Sequence, residues 1–118
     1  MANQVSWFEI MGQDGAKLQQ FYGDLFGWKV DASNEMQYGM VEGAEGGIGG
    51  GIGTSQDGSR SVTLYVGVDD LQAYLDKAEQ AGGRTVVPVT EIPNMVTFAQ
   101  FADPEGNVVG LFKTTQAS

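Results

Sequence analysis

The sequence predicts an α+β chain of two βαβββ modules, and three observations carry that expectation. A β-rich run, Val5 to Met11, leads into a capped stripe of helical period that a glycine stops. A second β-branched run, Val62 to Val68, leads into another such stripe, again stopped by glycine. Moving the chain by 55 residues lays Asp14 on Asp69 and Gly27 on Gly82, a repeat of punctuation rather than of identity. One such module covers only one face of its sheet with a helix. Two together are expected to form a curved mixed sheet around a cleft, with the helices on the outer face.

Each element has its own signal. Val-Ser-Trp-Phe-Glu-Ile-Met (5–11) reads as a strand ending at Gly12. Asp14 is a helix N-cap, and Leu18, Phe21, Tyr22, Leu25 and Phe26 follow at i, i+3, i+4, i+7 and i+8. That spacing assigns Phe21, Tyr22 and Phe26, with Trp28, to the core or to an interface between modules. Gly27 closes the helix as a C′ glycine. Strands are expected to start at Trp28–Val30 and to cover Met36–Val41. The glycine-rich stretch 46–53 reads as an edge strand running into a loop, its glycines allowing close backbone approach, strand bending or a mobile flap over the cleft. It matches no phosphate-binding loop, having neither GxGxxG spacing nor a Walker lysine. Thr54–Ser61 is a turn marked by Asp57-Gly58.

In the second half, Asp69 and Asp70 supply the cap and Leu71, Tyr74, Leu75 and Ala78 the stripe. Gly82-Gly83 ends it. Strands are expected over Arg84–Val89, Val96–Phe101 and Asn107–Lys113, with Asp103-Pro104-Glu105-Gly106 as a tight turn and a polar tail from Thr114. The expected organisation is one domain over 1–118, with module one at about 4–54 and module two at about 61–114.

Composition removes several function classes. At 118 residues the chain has no cysteine and no histidine. A disulfide framework, a thiol nucleophile and the commonest transition-metal ligand are therefore missing, and a serine or cysteine triad has no usual base. The net charge of -9 and pI near 4.1 repel nucleic-acid phosphates and anionic membrane surfaces. No basic leader with an apolar run is visible at the N-terminus, and no apolar segment approaches a bilayer span. A cytoplasmic protein with no nucleic-acid or membrane partner is expected.

Alternation then selects candidate site residues. Trp7, Glu9 and Met11 share one face of the first strand, and Phe8 and Ile10 the other. With the Phe8 side against the helices, Glu9 points into the cleft, where a carboxylate serves as base or polar anchor. The structural alternative pairs Glu9 with a hydroxyl, Arg60 or Arg84. The same parity turns Thr63 and Tyr65, and Val108, Gly110 and Phe112, toward the cleft, with Tyr38 and Met40 joining from the third strand. This aromatic, methionine-containing wall suits a flat or apolar small molecule. The same residues would equally fill a core or a dimer interface. The remaining carboxylates read as caps (Asp14, Asp69, Asp70), turns (Asp103) or solvated helix faces (Asp76, Glu79).

Trp7-Phe8-Glu9-Ile10, Phe21-Tyr22-Gly23-Asp24-Leu25-Phe26-Gly27-Trp28, Tyr65-Val66-Gly67-Val68-Asp69-Asp70, Gly82-Gly83 and Asp103-Pro104-Glu105-Gly106-Asn107 occur in this order. Across nearly its whole length the chain resembles the glyoxalase/bleomycin-resistance/dioxygenase (vicinal oxygen chelate) superfamily. Within it the chain is most similar to small glyoxalase-like proteins related to the mycobacterial CFP-32 antigen. The resemblance implies paired βαβββ modules, usually in a homodimer. In metal-dependent members it implies four cleft residues holding one divalent cation. Three of those positions fall on Trp7, Thr63 and Gly110, and Glu42 fits the fourth only loosely. Trp, Thr and Gly do not assemble that site, so neither metal nor cofactor is expected.

The resulting expectation is a homodimeric protein that binds a small, partly aromatic molecule through Trp7, Glu9, Met11, Tyr38, Met40, Thr63, Tyr65 and Phe112. One alternative is a metal-independent isomerase or lyase with Glu9 as acid/base. The other is a metal-dependent glyoxalase or dioxygenase with substituted ligands.

Overall fold

A computed structural model of the chain describes residues 2–93 and 95–114; residues 115–118 of the polar tail lie outside them. The element order is β1 (Val5–Gly12), α1 (Gly15–Phe26), β2 (Val30–Asp31), β3 (Gly39–Val41), β4 (Gly49–Thr54), β5 (Ser61–Gly67), α2 (Leu71–Gln80), β6 (Arg84–Ile92), β7 (Val96–Ala102) and β8 (Val108–Thr114). This is the expected α+β class and the expected double βαβββ order. The chain divides into two compact units, Ser6–Thr63 and a second comprising the residues up to Val5 and those from Leu64 onward.

The two units share one topology. Strand order is β2-β3-β4-β1 in the first and β5-β8-β7-β6 in the second. In each, the opening strand pairs parallel with the closing strand, β1 with β4 and β5 with β8, and the other pairings are antiparallel. A helix supplies the crossover that a parallel pair requires.

The helix punctuation works as the sequence suggests, with one correction. The Asp14 side chain accepts from Lys17 N–H, and Gly27 stands left-handed at φ 72 with its N–H on the Gly23 carbonyl. On α2 it is Asp70, not Asp69, that caps, accepting from Ala73 N–H at 3.1 Å. Asp69 is one residue too early for that geometry. At the other end Gly83 N–H reaches the Ala78 carbonyl and Gly82 N–H the Glu79 carbonyl, the paired bonds of a Schellman motif, with Gly82 at φ 100.

The second unit has a compact apolar centre. Val68, Leu71, Leu75, Ala99 and Leu111 are buried together, flanked by Val66, Tyr74 and Phe101. The stripe of α2 thus closes one face of β5, β8 and β7. The first unit is built differently. Phe21 and Phe26 are exposed (57% each), Leu25 likewise at 58%, and Tyr22 and Trp28 are half-buried. This corrects the assignment of Phe21 and Phe26 to a core. The aromatics form an edge-on and stacked ladder instead, Phe21 against Tyr22 at 5.0 Å, Tyr22 against Trp28 at 6.0 Å and Trp28 against Phe8 at 5.3 Å between ring centres.

The glycine-rich stretch is also corrected. β4 is an inner strand between β3 and β1, and Gly50, Gly51, Ile52 and Gly53 are buried. It is neither an edge nor a flap. Its glycines make room for aromatic rings on both faces. A β-carbon on Gly50 would collide with the Phe8 ring, and one on Gly51 with the hydroxyl end of the Tyr38 ring. β3 is shorter than the sequence suggests, because Asn34–Gln37 form a turn with Gln37 N–H on the Asn34 carbonyl and Gln37 at φ 53. Among the described residues no helix is long and apolar enough to cross a membrane.

Candidate functional site

The strand registers of the first unit assemble one face residue by residue. Glu9 pairs with Gly51, Gly51 with Met40, and Met40 with Asp31. Partners across a ladder point to the same side, so Glu9, Gly51, Met40 and Asp31 make one transverse row over four strands. Trp7 lies opposite Gly49 and Met11 opposite Gly53 in the neighbouring rows. The other side belongs to the helix, where the missing β-carbon of Gly12 faces Leu18 of α1. The predicted parity of β1 therefore holds.

Tyr38 ties this face together. Its hydroxyl donates to Glu9 Oε2 at 2.9 Å and accepts from the Trp7 indole N–H at 3.3 Å. The order is indole, hydroxyl, carboxylate, each donating to the next, with all three side chains half-buried. The Met11 thioether and the Tyr38 ring both approach Gly53. Trp7, Glu9, Met11 and Tyr38 are thus brought together, with Met40 beside them in register and more exposed.

Two residues that periodicity did not reveal hold Tyr38 in place. Asn34 clamps its backbone, donating from Nδ2 to the Tyr38 carbonyl at 2.7 Å and accepting the Tyr38 N–H at 3.0 Å. Gln19 of α1 donates to the carbonyls of Gln37 at 3.1 Å and Ile52 at 2.7 Å, fastening the turn to the helix and to β4. An asparagine four residues before a tyrosine in a polar stretch is the only sequence signal of that clamp. Asp31, at the far end of the row, accepts from both the hydroxyl and the N–H of Ser33, which hold its carboxyl below the usual carboxylate range.

The second unit repeats the device with different chemistry. Tyr65 pairs with Gly110, and a β-carbon on Gly110 would collide with the Tyr65 ring. Gln100, opposite Gly110 on β7, donates to the Tyr65 hydroxyl at 2.8 Å. Phe112 shares that face with Phe98, its direct partner. Tyr65 is buried and Phe112 half-buried. Gln100 and Phe98 were not among the sequence candidates, although strict alternation along Val96–Phe101 places them together. Thr63, the last residue of the first unit, is buried. An apolar hollow of about 350 Å³ in the second unit, lined by Val66, Val68, Tyr74, Phe101 and Leu111 among others, lies on the helix side. Its polar lining is Asn3, Lys77 and the Tyr74 hydroxyl, which accepts from the Asn3 amide at 3.0 Å.

The metal positions implied by the superfamily resemblance do not fit a cation. Trp7 presents an indole whose only polar atom is a donor, already directed to Tyr38. Gly110 has no side chain, and the Tyr65 ring fills the space above it. Glu42 is exposed in the connection after β3. Among the described residues no three Asp, Glu, His or Cys side chains come together as a metal-holding group.

Comparison with known proteins agrees with this architecture. The sequence profile of the glyoxalase-like domain family matches residues 8–112. A glyoxylase-like domain-containing protein of Didymella fabae is 30% identical over 113 residues, covering 88% of each chain. A putative glyoxylase, CFP32, of Mycobacterium bovis is 25% identical over 94% of this chain but only 46% of its own length, so the chain spans about half of that relative. A glyoxalase/bleomycin resistance protein/dioxygenase superfamily member from Vibrio splendidus superposes with a TM-score of 0.63 at 15% identity, covering 95% of this chain and 99% of its own; at that identity the likeness concerns the fold. The chain belongs to the glyoxalase-like domain family.

Proposed function

We propose that this protein binds a small, partly aromatic molecule on the Trp7–Glu9–Tyr38 face of its first module, without a metal ion. The observation that carries the reading is the hydrogen-bonded indole–hydroxyl–carboxylate series set among Met11 and Met40. Flat apolar surface with a few fixed polar groups is the usual make-up of a small-molecule site. Thr63, Tyr65 and Phe112 are proposed to contribute to ligand binding as well. The test is titration of the purified protein with small aromatic compounds while following the Trp7 indole N–H by NMR. Saturable shifts of that resonance support the reading. A resonance that no compound moves, in protein shown to be folded, overturns it.

A second reading has one specific observation behind it. The 2.9 Å bond between Tyr38 and Glu9 couples a carboxylate to a proton donor, the minimum for a metal-independent isomerase or lyase with Glu9 as acid/base. Turnover that survives chelation and disappears in Glu9→Gln would favour catalysis over binding alone. The homodimer expected from the family resemblance is proposed with the same reading, and sedimentation equilibrium tests it.

A further inference from the structure

We infer that the second unit holds a binding site of its own, on the helix side of its sheet, for a small carboxylate with an aliphatic body. The registers put Val66 opposite Leu111 and Leu111 opposite Ala99, with Phe101 two residues further along β7. These side chains therefore share the face that α2 covers. The helix seals only part of it. Leu71 and Leu75 are buried at 5% and 1%, whereas Ala78, the last member of the same stripe, brings a single methyl to the sheet. Val66, Tyr74 and Phe101 are left half-buried beside the core, and the hollow of about 350 Å³ lies against them. That volume is at the lower end of the range for small-molecule pockets, about 300–1,000 Å³. Tyr65, Gly110 and Gln100 belong to the opposite face, so this site is separate from theirs.

The polar lining of the hollow is rich in donors. The Lys77 ammonium stands over the Tyr74 ring, 4.8 Å from its centre, and an ammonium has three N–H groups and no acceptor. The Tyr74 hydroxyl accepts from the Asn3 amide at 3.0 Å, which leaves its own proton to donate. Asn3 adds a second amide N–H. The Gln4 carbonyl, accepting the Gly67 N–H at 3.1 Å, pins the segment that brings Asn3 there. Among the described residues no carboxylate lines the hollow. The acidic groups of α2 and its cap are engaged elsewhere: Asp70 takes the Ala73 N–H, Asp76 the Gln72 amide and Glu79 the Thr85 hydroxyl. An apolar floor with donors and one cation at its rim matches a hydrocarbon body with an anionic acceptor head. A carboxylate there takes a charge-assisted hydrogen bond from Lys77.

The experiment titrates the full chain with hexanoate, 1-hexanol and hexylammonium while following the methyl resonances of Val66, Val68 and Leu111 by NMR. Hexanoate should move those methyls saturably and bind at least about tenfold more tightly than hexanol, the order expected of a charge-assisted bond. Hexylammonium should bind most weakly. The comparison is stringent, because the net charge of -9 by itself favours the cation; only donors at the site reverse that order. Lys77→Gln should bring hexanoate down to the affinity of hexanol, and Lys77→Arg should retain the preference. Lys77 is exposed and both replacements are good helix formers, so these variants should fold. Ala78→Met should fill the hollow and weaken hexanoate and hexanol alike; should it fail to fold, the two Lys77 variants carry the test. Equal affinity for hexanoate and hexanol, or a preference that survives Lys77→Gln, overturns the carboxylate assignment. Methyls that no probe moves, or undiminished binding to folded Ala78→Met, overturn the site itself. So does hexanoate that shifts the Trp7 indole N–H and leaves these methyls still, since it would then sit in the first unit.

Discussion

The Tyr38 ring occupies the space that a β-carbon on Gly51 would need: its hydroxyl, ζ-carbon and an ε-carbon all lie where that atom would stand. A glycine on β4 is thus the condition for the Tyr38 hydroxyl to reach Glu9 on the next strand. Gly51→Ala should push Tyr38 off the sheet and cost about 1–3 kcal/mol, the usual range for overpacking. The Trp7 indole should lose its acceptor at the same time. Urea unfolding measures the first effect and the Trp7 N–H shift the second. In the double variant Gly51→Ala/Tyr38→Ala the clash is gone, so the two losses should be strongly non-additive. Additive losses would refute the packing relationship.

Gly110→Ala should be the more damaging of the two equivalent changes. There the ring in the way is that of Tyr65, which is buried (6% exposed) and held at its hydroxyl by Gln100. Tyr38 is half-exposed and has solvent to swing into, whereas Tyr65 does not. Denaturation midpoints of the two alanine variants, measured side by side, check the ranking. Gly110→Ala falling at or above Gly51→Ala in stability would contradict it.

Asn34→Ala should loosen Tyr38 without touching its ring. Two hydrogen bonds to the Tyr38 backbone are lost, at about 1 kcal/mol each and less in an exposed turn. Stability should fall by about 1 kcal/mol. The Trp7 indole resonance should shift toward a more mobile, averaged environment, since the acceptor of its bond depends on that turn. Asn34→Asp keeps the acceptor for the Tyr38 N–H and should retain part of the effect. An unchanged Trp7 signal in Asn34→Ala would mean that Gln19 and the ring packing suffice.

These same residues show what the sequence could and could not reveal. Period-two alternation placed Trp7, Glu9 and Met11 together because a strand leaves a side chain only two choices. Cap residues and stop glycines fixed both helices for a similar reason, each being a local rule with one geometric solution. The glycine run was legible as a place of close approach but not as an inner strand. Glycine carries no face preference, and the rings that cover Gly50 and Gly51 belong to Phe8 and Tyr38, 42 and 13 residues earlier in the chain. The exposure of Phe21 and Phe26 was equally hidden, since helical spacing identifies a stripe but not how much of it the sheet can cover. Asn34 and Gln100 act through hydrogen bonds to Tyr38 and Tyr65, 4 and 35 residues away, which no periodicity records.

The 103–107 turn gives a pH prediction with a definite sign. Asp103 accepts the N–H groups of Glu105 and Asn107 and the Asn107 side-chain amide, each at 2.9 Å. These bonds, the Asn107 side chain first, hold its carboxyl below the ordinary value of 3.8. A carboxyl with a lowered folded pKa contributes stability that is present above the unfolded value. That contribution is lost as pH falls through the folded one. The turn should therefore be intact at and above neutral pH and should loosen only below about pH 4, the ordinary aspartate range. Carboxyl NMR titration of Asp103 should show a midpoint lower than that of a model aspartate. Asn107→Ala should move the midpoint upward while leaving Asp31 and Asp57 titrating low, because Ser33 and Ser59 hold those two independently. An Asp103 midpoint that is ordinary in the wild type, or unmoved in Asn107→Ala, would remove the side-chain amide as the cause.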